Sequence, residues 1–154
     1  MADKKEQEKV FPKVIKWQNM IDNVDKYIGF VYKIIEKDTG MIYFGIKRYW
    51  EIVKLPPLKG RSKKEKKQRA KNKGKNKRHI KKETKWKTYN TSSPIMQEKL
   101  KNNPHNYEKI IIKHCTSITE MKAHEAYYQL QHYVNGTWNK LYNEVINLRL
   151  RIRK

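Results

Sequence analysis

The stretch YIGFVYKIIEKDTGMIYFGIKRYW, residues 27–50, decides the fold because it encodes a β-hairpin. Two runs rich in β-branched and aromatic residues, GFVYKIIE and MIYFGI, flank the polar turn EKDTG. Gly40 ends that turn, where a positive φ is commonly required. Each run carries one tyrosine, Tyr32 and Tyr43, and the two share a face of the sheet only if the strand register allows it. Gly45, close to Tyr43, leaves room for a substrate to approach.

Charge is the dominant feature of the composition. The 154 residues include 37 Lys and Arg against 15 Asp and Glu, a net charge of +22. A chain with that excess repels itself unless a polyanion neutralises it, and nucleic acid is the commonest such partner. No apolar run is long enough to span a membrane, and the polar start MADKKEQEKV is unlike a secretory signal. The single cysteine, Cys115, is expected to be a small buried residue, and a cytoplasmic location is expected.

A lysine-rich insertion interrupts the chain after Pro56 and Pro57. The segment 59–85 contains 15 basic residues and only two acidic ones, Glu65 and Glu83. It has almost no apolar content, so it cannot bury a face and is not expected to join the core. The alternatives are a solvated or disordered insertion and an arm that binds a polyanion, and the density of the charge favours the arm.

The remaining segments predict helices and a third strand. Ser93 and Pro94 are typical of a helix start, and that helix is expected to run to about Leu100. The isoleucine-rich YEKIIIKHC, residues 107–115, predicts a well-buried strand. The near-helical spacing of Val14, Trp17, Met20 and Ile21 predicts a short helix near the start of the chain. The capping-box pair Ser117 and Glu120 predicts the start of a longer helix, which Asn135-Gly136 ends. The closing segment WNKLYNEVINLRL predicts a last helix.

Glu125 is the acidic residue most open to a functional interpretation. It lies at the edge of the apolar stripe of the predicted helix after Ser117, so its carboxylate needs a partner. A divalent cation, a lysine and a hydroxyl are the alternatives. The chain has no HExxH, Walker, GxSxG or GxGxxG motif, which gives no indication of a nucleotide cofactor.

Several of these residues together resemble the GIY-YIG endonuclease family. Phe30-Val31-Tyr32, after Gly29, is similar to the first motif, although Phe30 stands where the family name has Gly. Tyr43-Phe44-Gly45 is similar to the second motif, eleven residues on from tyrosine to tyrosine. The resemblance continues in order through KWKTY with Lys85 and Tyr89, KAHEAYYQ with Glu125, and the pair Tyr142-Asn143. It covers about residues 27–147 and is strongest to short phage-encoded homing endonucleases.

The resemblance implies an α+β fold, a small three-stranded antiparallel sheet flanked by helices, and a metal-dependent DNA endonuclease. Glu125 would hold one Mg²⁺ or Mn²⁺, with waters in the other positions. Tyr32 would be the general base, which requires that its phenol pKa be lowered from about 10. The other implied roles are water or phosphate binding by Tyr43, phosphate charge stabilisation by Lys85 or Arg48, water orientation by Tyr89, and fixing of Glu125 or a phosphate oxygen by Asn143.

The insertion would then contact the DNA backbone, which gives affinity without base reading. The predicted DNA-binding residues are Lys47, Arg61, Lys63, Lys64, Lys66, Lys67, Arg69, Lys71, Lys73, Lys75, Lys77 and Arg78. The expected organisation is an N-terminal extension (1–26), a nuclease domain (27–147) with residues 56–84 as the insertion, and a basic tail (148–154), with a monomer favoured. The alternatives are a catalytically inactive nuclease fold that binds nucleic acid, and a basic RNA- or DNA-binding protein with an accidental motif match.

Overall fold

The computed structural model describes residues 15–71 and 78–146. Its strands are β1 (Trp17–Gln18), β2 (Gly29–Glu36), β3 (Ile42–Arg48), β4 (Trp50–Leu55), β5 (Arg78–Glu83) and β6 (Tyr107–Cys115). Its helices are α1 (Lys63–Lys71), α2 (Pro94–Asn102) and α3 (Ile118–Val134), with short 3₁₀ turns at Trp86–Thr88, Pro104–Asn106 and Trp138–Lys140. The α+β class is confirmed. No helix within the described ranges is long and apolar enough to cross a membrane.

The predicted hairpin is formed by β2 and β3. Gly40 closes its turn with a φ of +69°, as the turn sequence predicts. Tyr32 pairs with Gly45 and Ile34 pairs with Tyr43. Because directly paired residues of an antiparallel ladder point to the same side, Tyr32 and Tyr43 lie on one face of the sheet.

The main sheet has four strands in the order β1-β6-β2-β3 and is mixed. The antiparallel trio β6-β2-β3 agrees with the expected architecture, but β1 adds a parallel strand at the β6 edge, so a purely antiparallel three-stranded sheet is wrong. The helix predicted near Trp17 is also wrong over its described residues, and Val14 lies outside them. The buried Trp17 indole donates to the Trp86 carbonyl at 2.9 Å, a long-range contact that outweighs the helical spacing.

Each face of the sheet is covered by a different helix. One face carries Phe30, Tyr32 and Ile34, which pack with residues of α2 and with the fully buried Trp86. The opposite face carries Val31 and Cys115, which pack against Met121 of α3. Cys115 is buried as expected, and burial raises the pKa of its thiol to about 11.

The helix starts agree with their predicted caps, but the closing helix does not form within the described residues. Ser93 accepts from Met96 N and Ser117 accepts from Glu120 N, as N-cap side chains do. After the turn Trp138–Lys140 the chain runs extended beside β3. There the Tyr142 N–H donates to the Ile42 carbonyl at 2.9 Å, so pairing with a sheet edge replaces the helix.

The insertion contains more regular structure than its composition indicates. Strands β4 and β5 form a separate two-stranded antiparallel ribbon, and the solvated helix α1 lies between them in sequence. Ser62 caps α1 by accepting from Glu65 N at 3.1 Å. Of the residues of segment 56–84 that the structure describes, Leu58 alone is buried.

A buried carboxylate ties the extended C-terminal segment to the sheet. Glu36, at the end of β2, accepts from the hydroxyls of Tyr107 and Tyr142, each at 2.6 Å, and from Thr39. The hydrogen bond from Thr39, followed by those from Tyr107 and Tyr142 and a lesser contribution from Lys99, lowers the pKa of Glu36 to about 2. The carboxylate therefore joins β2, its turn, β6 and the segment after α3.

We expect the Glu36 contacts to give a pH-dependent component of stability. Because the folded pKa is depressed below the ordinary 4.5, this component is present above pH 4.5 and is lost as pH falls toward 2. Glu36→Gln should therefore lower the free energy of unfolding by about 1–3 kcal/mol at neutral pH, and its deficit should shrink toward pH 2. Thermal unfolding over that range measures both, with Glu98→Gln, at an exposed position of α2, as control. A deficit that does not depend on pH would contradict the assignment.

Candidate active site

A cleft of 620 Å³ runs beside the free edge of β3, the last strand of the main sheet. The residues that line it come from β3, the ribbon, the segment before α2, and α3. They include Lys47, Arg48, Trp50, Glu51, Tyr89 and Met121. The segment after α3 pairs with the first half of β3, whereas the cleft lies at its second half, where Ile46, Lys47 and Arg48 line it. At that end of the strand the cleft brings together side chains from both faces of the sheet.

A continuous row of rings leads into this cleft. The ring centroid of Tyr32 lies 6.3 Å from that of Tyr43 and 6.3 Å from that of Tyr89. The ammonium group of Lys47 lies 4.3 Å from the centre of the Tyr89 ring, a cation–π contact. The structure thus brings together three predicted catalytic tyrosines and one predicted DNA-binding lysine.

Tyr32 is fully buried, and its environment is unlike that of an activated phenol. Its hydroxyl donates to Thr91 Oγ1 at 3.3 Å, and burial, followed by the charge of Tyr89, raises its pKa. This shift is opposite to the lowering that a general base requires. The ring also fills the space above Gly45, where a Cβ would lie 2.5 Å from the Tyr32 Cζ. Gly45 therefore accommodates Tyr32, which corrects the expectation that it leaves room for substrate.

A buried lysine fixes the segment that carries Tyr89. Lys109 of β6 has no exposed surface and donates to the Tyr89 carbonyl at 2.8 Å and to Asn90 Oδ1 at 3.0 Å. Its ammonium group lies 4.4 Å from the ring centre of Trp17, and burial lowers its pKa to about 8. These contacts hold the Tyr89 backbone against the sheet, beside the cleft.

Glu125 lies on the helix that borders the cleft from the other side. It is one turn of α3 beyond Met121, a cleft-lining residue, and positions i and i+4 share a helix face. The side chain is half-buried, and burial raises its pKa, with Lys122 acting weakly in the opposite sense. Within the described ranges its carboxylate makes no hydrogen bond or ion pair with another residue. It is thus a partly desolvated carboxylate without a direct protein partner there.

The two candidates for the cationic role differ in position. Arg48, the last residue of β3, is exposed and lines the cleft. Lys85 is exposed ahead of the 3₁₀ turn Trp86–Thr88 and is not among the cleft-lining residues. The geometry favours Arg48, whose planar guanidinium also suits phosphate binding better than an ammonium group.

Asn143 is engaged with the backbone of β3. Its Oδ1 accepts from Phe44 N at 2.8 Å, and its Nδ2 donates to the Phe44 carbonyl at 2.9 Å. Both polar atoms of the amide thus satisfy the free edge of β3, and the described contacts include none with Glu125. The Phe44 ring stacks on Tyr128 of α3 at 5.8 Å, so this anchor also supports the packing of the Glu125 helix.

Of the predicted DNA-binding residues, Lys47 lines the cleft, and those of the insertion divide into three groups. The exposed helix α1 carries the largest group, and Arg61 directly precedes this helix. The members of the group on α1 are Lys63, Lys64, Lys66, Lys67, Arg69 and Lys71. The Arg78 guanidinium donates twice to the Pro56 carbonyl, at 3.0 and 2.9 Å, and so closes the base of the insertion. Lys73, Lys75 and Lys77 lie outside the described residues.

Sequence reasoning missed three residues of the site. Lys109 could have been found, because the alternation in YEKIIIKHC puts it on the same face as Ile111. No sequence pattern indicated Thr91, because its role depends on a hydrogen bond with Tyr32, which is 59 residues away in the chain. Glu51 enters the cleft through the ribbon, which the composition did not indicate.

Comparison with known proteins identifies one family. The family model described as "Putative endonuclease segE, GIY-YIG domain" matches residues 14–146. No curated protein and no solved structure matches the chain. The family match covers the sheet, the cleft and the insertion, and it supports an endonuclease function.

We expect Asn143 to protect the β3 edge. Asn143→Ala removes the acceptor of the Phe44 N–H, so hydrogen exchange of that amide, followed by NMR, should accelerate by at least about tenfold. Asn143→Asp, which keeps an acceptor but loses the donor, serves as the matched variant and should retain more protection. Unchanged Phe44 exchange in Asn143→Ala would show that this anchor does not hold the edge.

Proposed function

The chain belongs to the GIY-YIG endonuclease family, and we propose that it is a divalent-metal-dependent endonuclease that hydrolyses phosphodiester bonds of duplex DNA. The observation that carries this proposal is the cleft at the β3 edge. There Arg48, Lys47 and Tyr89 meet the helix of Glu125, beside the buried Tyr32 and the half-buried Tyr43. The homing role implied by the resemblance stays a prediction, which a search for a preferred cleavage site tests.

The residues present fit one hard divalent cation bound mainly through water. Glu125 is a half-buried carboxylate beside the cleft without a direct protein partner in the described ranges, and Mg²⁺ or Mn²⁺ is commonly held by one or two carboxylates and several waters. No group of three or more His, Cys, Asp or Glu side chains suited to a closed metal site occurs among the described residues. When bound, such an ion supplies charge neutralisation and lowers the pKa of a water.

The protein's own residues would bind and orient the phosphate. Arg48 and Lys47 place positive charge at the cleft, where it offsets the negative charge that develops on the phosphate. Tyr43, half-buried and next to Tyr32, would hydrogen-bond the attacking water or a phosphate oxygen. Because burial raises its pKa, we assign Tyr32 a positioning role: its ring fixes Tyr43 and Tyr89 from the core.

Duplex DNA suits the charge distribution of the molecule. The five lysines of helix α1 are all exposed, so their charge can meet a phosphate backbone. A nuclease fold that only binds nucleic acid would share this surface. Cleavage of plasmid DNA in Mg²⁺, and its absence in EDTA, separates the two functions on a gel.

Removal of the Glu125 carboxylate should abolish cleavage and leave binding intact. Glu125→Gln keeps the side-chain volume but loses the charge that would hold the cation, so cleavage should fall by about a hundredfold or more. Plasmid nicking measures cleavage, and fluorescence anisotropy in EDTA measures binding. Glu98→Gln, at an exposed position of α2, is the control and should cleave normally. Full activity in Glu125→Gln would refute the metal assignment.

The role of Tyr32 is tested by removal of one oxygen atom. If the phenol positions its neighbours, Tyr32→Phe should lower the cleavage rate less than about tenfold, because the ring and its contacts remain. If it is the general base, the loss should be about 10²–10⁴-fold. Tyr43→Phe, which removes the hydroxyl nearer the surface, is the comparison and should cost more. A loss of the larger size in Tyr32→Phe would restore the base assignment.

The contribution of α1 to DNA binding is measured by salt dependence. Replacement of Lys63, Lys64, Lys66 and Lys67 by Gln should weaken duplex binding and reduce the slope of log affinity against log salt by about 0.9 for each lost phosphate contact. Lys101→Gln, on α2, is the control for charge loss elsewhere. An unchanged slope in the α1 variant would place the phosphate contacts on another surface.

A further inference from the structure

The ribbon of β4 and β5 is held rigidly at both ends. At its root, the Trp50 indole donates to the Tyr27 carbonyl at 3.0 Å, and Thr84 donates to the carbonyls of Tyr49 and Arg48. At its far end, the two bonds from Arg78 to Pro56 close the strands. A two-stranded ribbon is marginal by itself, so these anchors account for its defined position beside the main sheet.

One face of the ribbon combines exposed positive charge with an exposed apolar side chain. The pairs Ile52 with Lys81 and Lys54 with His79 point to the same side, and all four residues are exposed. Ile52 is 73% exposed, which is unusual for an isoleucine in a strand. The charged lysines beside Ile52 make this face a poor match for an apolar protein surface. The same lysines complement a polyanion, and Ile52 complements any apolar group which that polyanion presents.

The major groove of duplex DNA has that character. It is wide enough for a two-stranded β-ribbon, phosphates flank it, and the thymine C5-methyl group is exposed at its floor. A strand of six residues is about 20 Å long, which suffices to follow the groove for part of a turn. Ile52 also lines the cleft at the β3 edge, so a duplex on this face would continue over that cleft.

We propose that the β4–β5 ribbon enters the major groove of the substrate duplex through the face of Ile52, Lys54, His79 and Lys81, with Ile52 against thymine methyl groups. The lysines bind the phosphates on either side. This inference rests on the proposed function, because it takes duplex DNA as the substrate. It differs from the expectation that the insertion binds without base reading, since the Ile52 contact distinguishes thymine from other bases.

The direct test compares two duplexes of the same mixed sequence, one with thymine and one with uracil in its place. Uracil lacks the C5-methyl group, so the full-length protein should bind the thymine duplex more tightly, by about fourfold for each methyl group contacted. Fluorescence anisotropy in EDTA measures affinity without cleavage. Ile52→Ala should remove the difference, whereas Ile95→Ala, at an exposed isoleucine of α2, should retain it.

Two further measurements distinguish the phosphate contacts of the ribbon from its thymine contacts, and the major groove from the minor groove. Lys54→Gln and Lys81→Gln should each reduce the salt slope by about 0.9 and leave the thymine preference unchanged. A major-groove dye, methyl green, should compete with the protein, and the minor-groove ligand netropsin should not. Equal affinity of the wild-type protein for both duplexes, or displacement by netropsin alone, would overturn the ribbon proposal and leave the endonuclease proposal standing. Absence of duplex binding would overturn both, and plasmid cleavage in Mg²⁺ tests the endonuclease separately.

Discussion

The pairing of Tyr32 with Gly45 across the hairpin is the constraint on which the site depends. With no side chain at position 45, the Tyr32 ring occupies the space beside β3 there, and a Cβ would come within 2.5 Å of its Cζ and hydroxyl oxygen. From that position the ring contacts Tyr43 on one side and Tyr89 on the other. The glycine of the second motif thus determines where the tyrosine of the first motif lies.

Tyr32 and Tyr43 lie on one face of the sheet but differ in burial. Tyr32 has no exposure and a raised pKa, whereas Tyr43 keeps part of its surface in solvent. A group that must exchange protons with water is better placed at the surface, and a group that must hold others in position is better placed in the core. The cleft chemistry is therefore proposed to come from surface residues such as Arg48 and Tyr43, on a rigid buried support.

The elements with strong local signals were predictable from the sequence. The hairpin, β6 and the starts of α2 and α3 follow from turn residues, strand composition and N-caps, which act within a few residues. The errors lie where distant contacts decide. Trp17 joins a strand because its indole donates a hydrogen bond to the Trp86 carbonyl. The segment around Tyr142 stays extended because the Tyr142 hydroxyl donates to the Glu36 carboxylate. Strand β5, rich in lysine, is ordered by pairing with β4 and not by its own propensity.

The same limit applies to the site. Motif order singled out Tyr32, Tyr43 and Tyr89, whose rings the structure brings together, and their catalytic roles stay predictions, as does that of Glu125. The preference for Arg48 over Lys85 rests on which of the two side chains lines the cleft, and the sequence does not give that position. The contact of Asn143 with Phe44 could not be predicted either, because it depends on the path of the C-terminal segment.

The central claim is that a phosphate, a cation and the Glu125 carboxylate meet at the β3 edge. A crystal structure with duplex DNA and Mn²⁺, read by the anomalous signal of manganese, tests it most directly. We predict a manganese peak at Glu125, with a phosphate bound to it and in contact with Arg48. A peak at another carboxylate, or a phosphate bound away from this cleft, would contradict the account.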